Sequence, residues 1–255
     1  DLLKSGSKSE KYNVVIVGEG YADTAVDNAA MQSWIDDKFW NGFAQADIQP
    51  SYLNAVNFWF VDVKSQDSGI TQSIELEIPE EDLGDYTGRS DFLRQERKDD
   101  DTFYVWLVDG AIKDTAFSLA AATWEACWRI QMEGTTGWNH LTSTATSALG
   151  VKPDEIWVVQ NGGVGGCAST KNGIRILALT GSTSVGTLLH EWGHSFGGLS
   201  DEYTRNKSYS GGASGKTNIY EDSAWDGTWG GLKSSWKRWI PSSRPLPTSR
   251  PDVAT

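Results

Sequence analysis

Short apolar runs, each about as long as a buried strand, alternate along this chain with longer segments in which apolar residues recur at helical spacing. The strand-like runs lie at residues 14–17, 55–63, 103–108, 156–159 and 174–179. The helical segments lie at residues 23–46, 116–132, 140–149 and 185–196. Because strands that alternate with helices usually form one sheet with the helices on its faces, the sequence predicts an α/β fold, a twisted sheet covered by helices.

The length of 255 residues is enough for one well-buried domain. Residues 241–255 hold four of the seven prolines and little that is apolar. The sequence therefore predicts a domain over residues 1–240 and a Pro-rich tail or linker at 241–255. Within the domain, the polar segment 65–101 carries acidic runs at 79–82 and 99–101. It is predicted to be a long solvated loop, with a calcium site as the alternative.

The net charge limits the classes of partner. A formal charge of −12 disfavours nucleic acid and anionic membranes, because both would repel such a surface. No apolar run approaches the roughly 18 to 20 residues that a membrane-spanning helix requires. We therefore expect neither nucleic acid nor a membrane as a partner.

The glycine-rich segment 161–166 lacks the spacing of a phosphate-binding loop and predicts a flexible turn.

The sequence His-Glu-Trp-Gly-His, which begins at His190, points to a metal site. On an α-helix, residues four apart project from one face, so His190 and His194 can bind one ion with Glu191 beside it. The chain contains three histidines in all. Two of them at this spacing, with a glutamate between, favour a catalytic zinc site over two ordinary surface histidines.

The rest of this helical segment indicates how it is anchored. Its apolar residues fall on the side opposite to the two histidines, namely Val185, Leu188, Leu189, Trp192 and Phe196. Ser182 or Ser184 is expected to cap the start of the helix. Gly197 and Gly198 can adopt the positive φ at which a helix ends and the chain turns back.

A third ligand is needed, because catalytic zinc usually takes three protein ligands and leaves a fourth position open. Asp201 is favoured, since its shorter side chain restricts the geometry more, and Glu202 is the alternative. His140, the remaining histidine, is an outside candidate, for which a surface or core role is favoured.

Residues 190–203, His-Glu-Trp-Gly-His-Ser-Phe-Gly-Gly-Leu-Ser-Asp-Glu-Tyr, closely resemble the active-site segment of the IgA-specific zinc metallopeptidase family, a branch near the metzincins. Segments 13–21, 61–69 and 165–168 are also similar, so the resemblance spans most of residues 13–240. It implies a zincin- or metzincin-like fold and a secreted, zinc-dependent endopeptidase. In that family's pattern His190 and His194 match Zn²⁺ ligands and Glu191 matches the general base. The resemblance does not imply IgA as the substrate.

The chain departs from the metzincin pattern at two points. Ser200 stands where metzincins place their third ligand, and both methionines, Met31 and Met132, precede the helix that would need a methionine turn beneath its metal. Two expectations remain open: a chain shortened at its C-terminal end, or a companion segment that supplies the missing Met-turn. In a secreted protein, Cys127 and Cys167 are enough for one disulfide bond, and two buried free thiols are the alternative.

The residues and the resemblance together predict hydrolysis of a protein or peptide substrate. Zn²⁺ held by His190, His194 and Asp201 activates a water, and Glu191 takes its proton and passes it to the leaving amine. The strand at 174–179 is expected to pair with the extended substrate.

The alternative function is a secreted carbohydrate- or protein-binding module with a vestigial zinc site. In that case Tyr220, Trp225, Trp229 and Trp236 would stack on sugars. An inactive precursor or fragment is a third possibility.

Overall fold

The computed structural model describes residues 2–46, 53–117, 119–122, 131–132, 134–163, 166–171, 173–198, 204–205 and 208–209. The chain divides into two compact units, Asp1–Phe196 and Gly197–Thr255. In the second unit the described residues form a short antiparallel pair, Thr204–Arg205 with Ser208–Tyr209. The predicted domain boundary at residue 240 lies outside the described residues.

The first unit contains ten strands and four α-helices among the residues described. In chain order they are β1 (Tyr12–Glu19), α1 (Ala25–Trp34), β2 (Val56–Val61), β3 (Thr71–Pro79), α2 (Leu83–Thr87), β4 (Phe92–Arg97), β5 (Thr102–Asp109), β6 (Leu119–Ala122), β7 (Gln131–Met132), α3 (Gly134–Leu149), β8 (Glu155–Gln160), β9 (Cys167–Lys171), β10 (Ile174–Thr180) and α4 (Val185–Ser195). A π-helix, Ile35–Trp40, and a 3-10 helix, Phe43–Gln45, follow α1, and a further 3-10 helix, Glu80–Asp82, precedes α2.

The main sheet has the strand order β2-β1-β8-β10-β9. Its first four strands are parallel, and β9 pairs antiparallel with β10 at the edge. Strands buried on both faces are expected to be continuously apolar, and β1 and β8 are buried along almost their whole length. The α/β class predicted from the sequence is confirmed.

The helices cover the two faces of this sheet. On one face α1, the π-helix and α4 pack over an aromatic cluster that includes Phe39, Phe43, Phe58, Trp157 and Trp192. On the other face α3 packs Leu141, Ala145 and Leu149 against Val15, Val17 and Ile156. The sheet therefore separates α4 from α3.

The polar segment after β2 is a second sheet, so the prediction of a solvated loop at 65–101 was wrong. Its strand order is β4-β5-β3-β6-β7. Leu76 and Ile78 on β3 pair with Val105 and Phe103 on β5, and these side chains form a separate small hydrophobic cluster. Glutamates alternate with the apolar residues of β3, which makes the segment polar overall while one face stays apolar.

The two acidic runs of this segment do meet, but around a guanidinium group. Arg97 Nη2 lies 2.9 Å from Glu80 Oε1, and Arg97 Nη1 donates to the Asp100 carbonyl at 2.7 Å. The Glu80 backbone N–H donates to the Asp101 carbonyl at 2.9 Å. A guanidinium group therefore lies between the two acidic runs in the described structure.

The segment between Ser65 and Ala116, which carries β3, β4 and β5, begins and ends beside one turn of the main sheet. Ser65 Oγ accepts hydrogen bonds from the backbone N–H of Gly20 and that of Ala116, both at 3.0 Å. Close by, the Asp67 N–H donates to the Asp114 carbonyl at 2.9 Å, and the Asp114 N–H donates to Asp67 Oδ2 at 2.9 Å. The two ends of this segment are thus held side by side, and β6 and β7 complete the second sheet from the chain that follows.

Two helix predictions need correction. The segment 116–132, predicted as a helix, contains β6 and β7, of which β6 pairs in parallel with β3. The predicted helix at 23–46 is α1 followed by π and 3-10 turns. The helix at 140–149 is confirmed as part of α3. No helix among the described residues has the length and apolar character needed to span a membrane.

Candidate metal centre on helix α4

Helix α4 begins and ends where the sequence predicts. Ser184 is the N-cap, since its Oγ accepts the Thr187 backbone N–H at 3.0 Å, while the Ser182 hydroxyl contacts Thr180 Oγ1 at 3.0 Å. The Phe196 N–H donates to the Trp192 carbonyl at 2.8 Å, and Gly198 has a φ of +62°. Of the two predicted capping serines, Ser184 fills the role.

The apolar face of α4 fixes the helix on the sheet. Leu188 and Trp192 are buried, and the Trp192 ring meets Phe43 edge-on at 4.9 Å and stacks on Phe196 at 4.6 Å. Phe43 in turn contacts Trp157 of β8 at 5.0 Å. Because these rings pack against one another, they fix the rotation of α4 about its axis, and with it the direction in which the opposite face of the helix points.

His190 and His194 lie on that opposite face, as predicted. His190 is exposed and His194 is half-buried. Their Nε2 atoms are 3.0 Å apart, and the ring planes are inclined at 81° with centroids 4.5 Å apart. The two ring nitrogens therefore converge on one small region of space.

This arrangement fits two ligands of a single zinc ion. Zn–N bonds of about 2.0–2.1 Å in a tetrahedral site place the two nitrogens about 3.3 Å apart, close to the 3.0 Å found here. Within the part of the chain that the structure describes, no group of three or more His, Cys, Asp or Glu side chains could hold a metal. Asp201 and Glu202, the predicted third ligands, lie outside the described residues.

Glu191 differs from its neighbours in being buried, with 9% of its surface exposed. One turn before it on the helix lies Thr187, and the backbone of Gly166 passes against both. A Cβ added at Gly166 would lie 2.8 Å from Thr187 Cγ2 and 3.2 Å from Glu191 Cγ. Gly166, which immediately precedes β9, therefore lies against the predicted general base.

Other sequence candidates are placed away from this site. His140 is an exposed residue of α3, on the far side of the sheet from α4, with its ring edge-on to Phe117 at 5.6 Å. This placement removes it as a metal-ligand candidate. Cys127 lies outside the described residues, as does the side chain of Cys167, so the disulfide stays a prediction.

The prediction that the strand at 174–179 pairs with an extended substrate is wrong. Strand β10, which contains residues 174–179, pairs with β8 on one side and with β9 on the other. Both of its edges are thus used within the sheet. The outermost strand on this side of the described sheet is β9.

A buried carboxylate beneath the C-terminal end of α4 was not found by sequence reasoning. Glu155, at the start of β8, is fully buried and accepts hydrogen bonds from Tyr12 Oη at 2.9 Å and Trp157 Nε1 at 2.6 Å. Arg175 Nη1 donates to Tyr12 Oη at 3.0 Å. The Ser195 hydroxyl of α4 approaches the carboxylate without reaching hydrogen-bond geometry.

Burial raises the pKa of Glu155, and the approach of Ser195, the two hydrogen bonds and the Arg175 charge offset only part of that rise. Residues 156–159 are all apolar, so the sequence pattern predicts a buried strand there. It does not indicate that the acidic residue just before them, Glu155, is also buried.

No family model matches the chain, and a search of the curated proteins finds no matching relative. The case for a function therefore depends on α4 and on the residues around it.

Proposed function

We propose that this protein is a secreted zinc endopeptidase, metzincin-like and related to the IgA-specific zinc metallopeptidases. The observation that carries the proposal is the convergence of His190 Nε2 and His194 Nε2, 3.0 Å apart, beside the buried Glu191. Two convergent imidazoles with an adjacent carboxylate are the layout of a hydrolytic zinc site.

Each side chain has a distinct role in this proposal. His190 and His194 would hold Zn²⁺, with Asp201 as the third ligand and Glu202 as the alternative. Zinc held there would supply Lewis acidity toward a peptide carbonyl and toward water near neutral pH. Glu191 takes the proton of the attacking water and delivers it to the leaving amine.

The outer edge of β9 is the proposed binding edge for an extended peptide. It is the outermost strand beside α4 in the described sheet, and Gly166, which immediately precedes it, contacts Glu191. Main-chain hydrogen bonds to such an edge are independent of side-chain identity, which suits an endopeptidase. A companion segment that supplies the missing Met-turn remains part of the proposal.

The test is zinc content together with hydrolysis of casein by the full chain, with and without a chelator. We expect one zinc per chain, with activity that chelation removes and added zinc restores. Glu191→Ala should keep the zinc and lose at least about 100-fold in kcat, since general-base catalysis typically contributes 10²–10⁴-fold. Glu81→Ala, at an exposed position in the 3-10 helix before α2, is the control and should match the wild type.

Several outcomes would contradict the proposal. Full activity in Glu191→Ala would show that Glu191 is not the general base. Absence of zinc from the purified protein would show that it is not a zinc enzyme. Asp201→Ala should weaken zinc binding far more than Glu202→Ala, and the reverse result would transfer the ligand role. Sugar binding without chelator-sensitive hydrolysis would favour the binding-module alternative.

A further inference from the structure

The backbone at Gly166 lies unusually close to helix α4. A Cβ added at Gly166 would lie 2.8 Å from Thr187 Cγ2 and 3.2 Å from Glu191 Cγ. These two side chains therefore occupy the space that a Cβ would need. The φ of Gly166 lies outside the left-handed region, so any residue could adopt this backbone conformation. A larger residue here would therefore force Thr187, Glu191 or the backbone at Gly166 to shift.

The two side chains that Gly166 contacts lie on one face of the helix. Thr187 and Glu191 are four residues apart, so they project in the same direction. Glu191 is buried although His190 beside it is exposed. Contact with the backbone at Gly166 accounts for part of this burial and restricts where the Glu191 side chain can go.

On the basis of the proposed function, we infer that Gly166 is a positioning residue for Glu191. Its close approach holds the carboxylate beside the two imidazoles, in the conformation needed to receive a proton. A general base must lie within about 2.6–3.2 Å of its proton partner, and a displacement of about 1 Å can cost about 100-fold in rate. A methyl group at this position would force Glu191 Cγ to give by a few tenths of an ångström, or the backbone at Gly166 to shift.

The first variant is Gly166→Ala in the full chain, assayed for kcat and KM on casein-derived peptide, zinc stoichiometry and thermal midpoint. We expect kcat to fall by at least about tenfold, and by no more than in Glu191→Ala, because the base is displaced but present. KM and zinc stoichiometry should stay at wild-type values. Gly84→Ala, where a Cβ would meet nothing within 4 Å, is the matched control and should keep wild-type kcat.

A second variant separates the two contacts. Thr187→Ser removes Cγ2 and keeps the hydroxyl that lies 2.9 Å from Ser184 Oγ. Combined with Gly166→Ala, it relieves the 2.8 Å contact and leaves the 3.2 Å contact with Glu191 Cγ. We expect the double variant to regain thermal stability while kcat stays low, and Thr187→Ser alone to retain wild-type kcat. If Gly166→Ala does not fold, the double variant carries the test.

Three results would overturn the inference: wild-type kcat in folded Gly166→Ala, loss of zinc in parallel with loss of activity, or full recovery of kcat in the double variant. Each of them leaves the proposed function intact as long as Glu191→Ala is inactive with zinc bound. An active Glu191→Ala variant would instead reject the function itself, so the two failures are distinguishable.

Discussion

At the scale of single residues, the surroundings of Glu155 change the pKa of its carboxyl group. Its carboxylate is fully buried under α4, with Tyr12, Trp157 and Arg175 as its polar surroundings. Burial disfavours the ionised form, and the neighbouring donors do not compensate fully. The folded state therefore binds the Glu155 proton more tightly than the unfolded state does.

Glu155→Gln should change how stability depends on pH. Because the folded pKa is raised, the wild type loses stability as the pH rises from the unfolded pKa, about 4.5, through the raised folded pKa. Glutamine removes this loss and still accepts the Trp157 N–H. We therefore expect the free energy of unfolding of the variant to rise relative to the wild type as the pH increases. Urea denaturation at several pH values measures this.

The control for this prediction is Glu81→Gln, at an exposed position. It should follow the wild-type pH dependence. Parallel curves for Glu155→Gln and the wild type would show that burial does not perturb the Glu155 carboxyl.

Among the elements, α4 has an N-cap and a first-turn position at which small changes should act in opposite directions. Ser184→Ala removes the acceptor of the Thr187 N–H and should lower the free energy of unfolding by about 1 kcal/mol. Gly186→Ala adds a methyl group at an exposed position where its nearest neighbour is 3.7 Å away. It should raise stability by about 0.5–1 kcal/mol. Chemical denaturation checks both.

Neither substitution touches the histidines, so zinc content should be unchanged in both variants. A fall in stability for Gly186→Ala would mean that the first turn of α4 is held more tightly than its exposure indicates.

The elements that could be predicted from the sequence are those with a local signal. Parallel strands buried on both faces are continuous apolar runs, which is why β1, β8 and β10 were found. Strand β6, Leu-Ala-Ala-Ala, has helical propensity, and its pairing with the distant β3 overrides that propensity.

The candidate site follows the same rule. His190, Glu191 and His194 share one helix, so their spacing alone places them together. Gly166 precedes β9 and Glu155 begins β8, so both approach α4 from parts of the chain distant in sequence, and no local pattern indicates such contacts.

Across the whole described unit, the stability of the fold and metal binding should be linked. If zinc binds only the folded state, a concentration of 100 times its dissociation constant stabilises by about 2.7 kcal/mol, or roughly 5–10 °C in thermal midpoint. We expect zinc to raise the midpoint of the wild type and of His140→Ala, whose side chain lies across the sheet from α4. His190→Ala should lose the shift, and differential scanning fluorimetry with and without zinc measures it.

An equal zinc shift in His190→Ala would locate the binding of the ion elsewhere in the chain. Loss of the shift in His140→Ala would mean that the two faces of the sheet are energetically coupled.

The hydroxyl of Ser65 bonds both Gly20 and Ala116, so the segment between Ser65 and Ala116, with β3, β4 and β5, begins and ends beside the same turn of the main sheet. A stretch of chain whose ends are already neighbours can grow, shrink or be exchanged at little entropic cost to its host. Variation between versions of this protein should therefore accumulate beyond Ser65, where new surface can evolve while the histidine pair keeps its geometry.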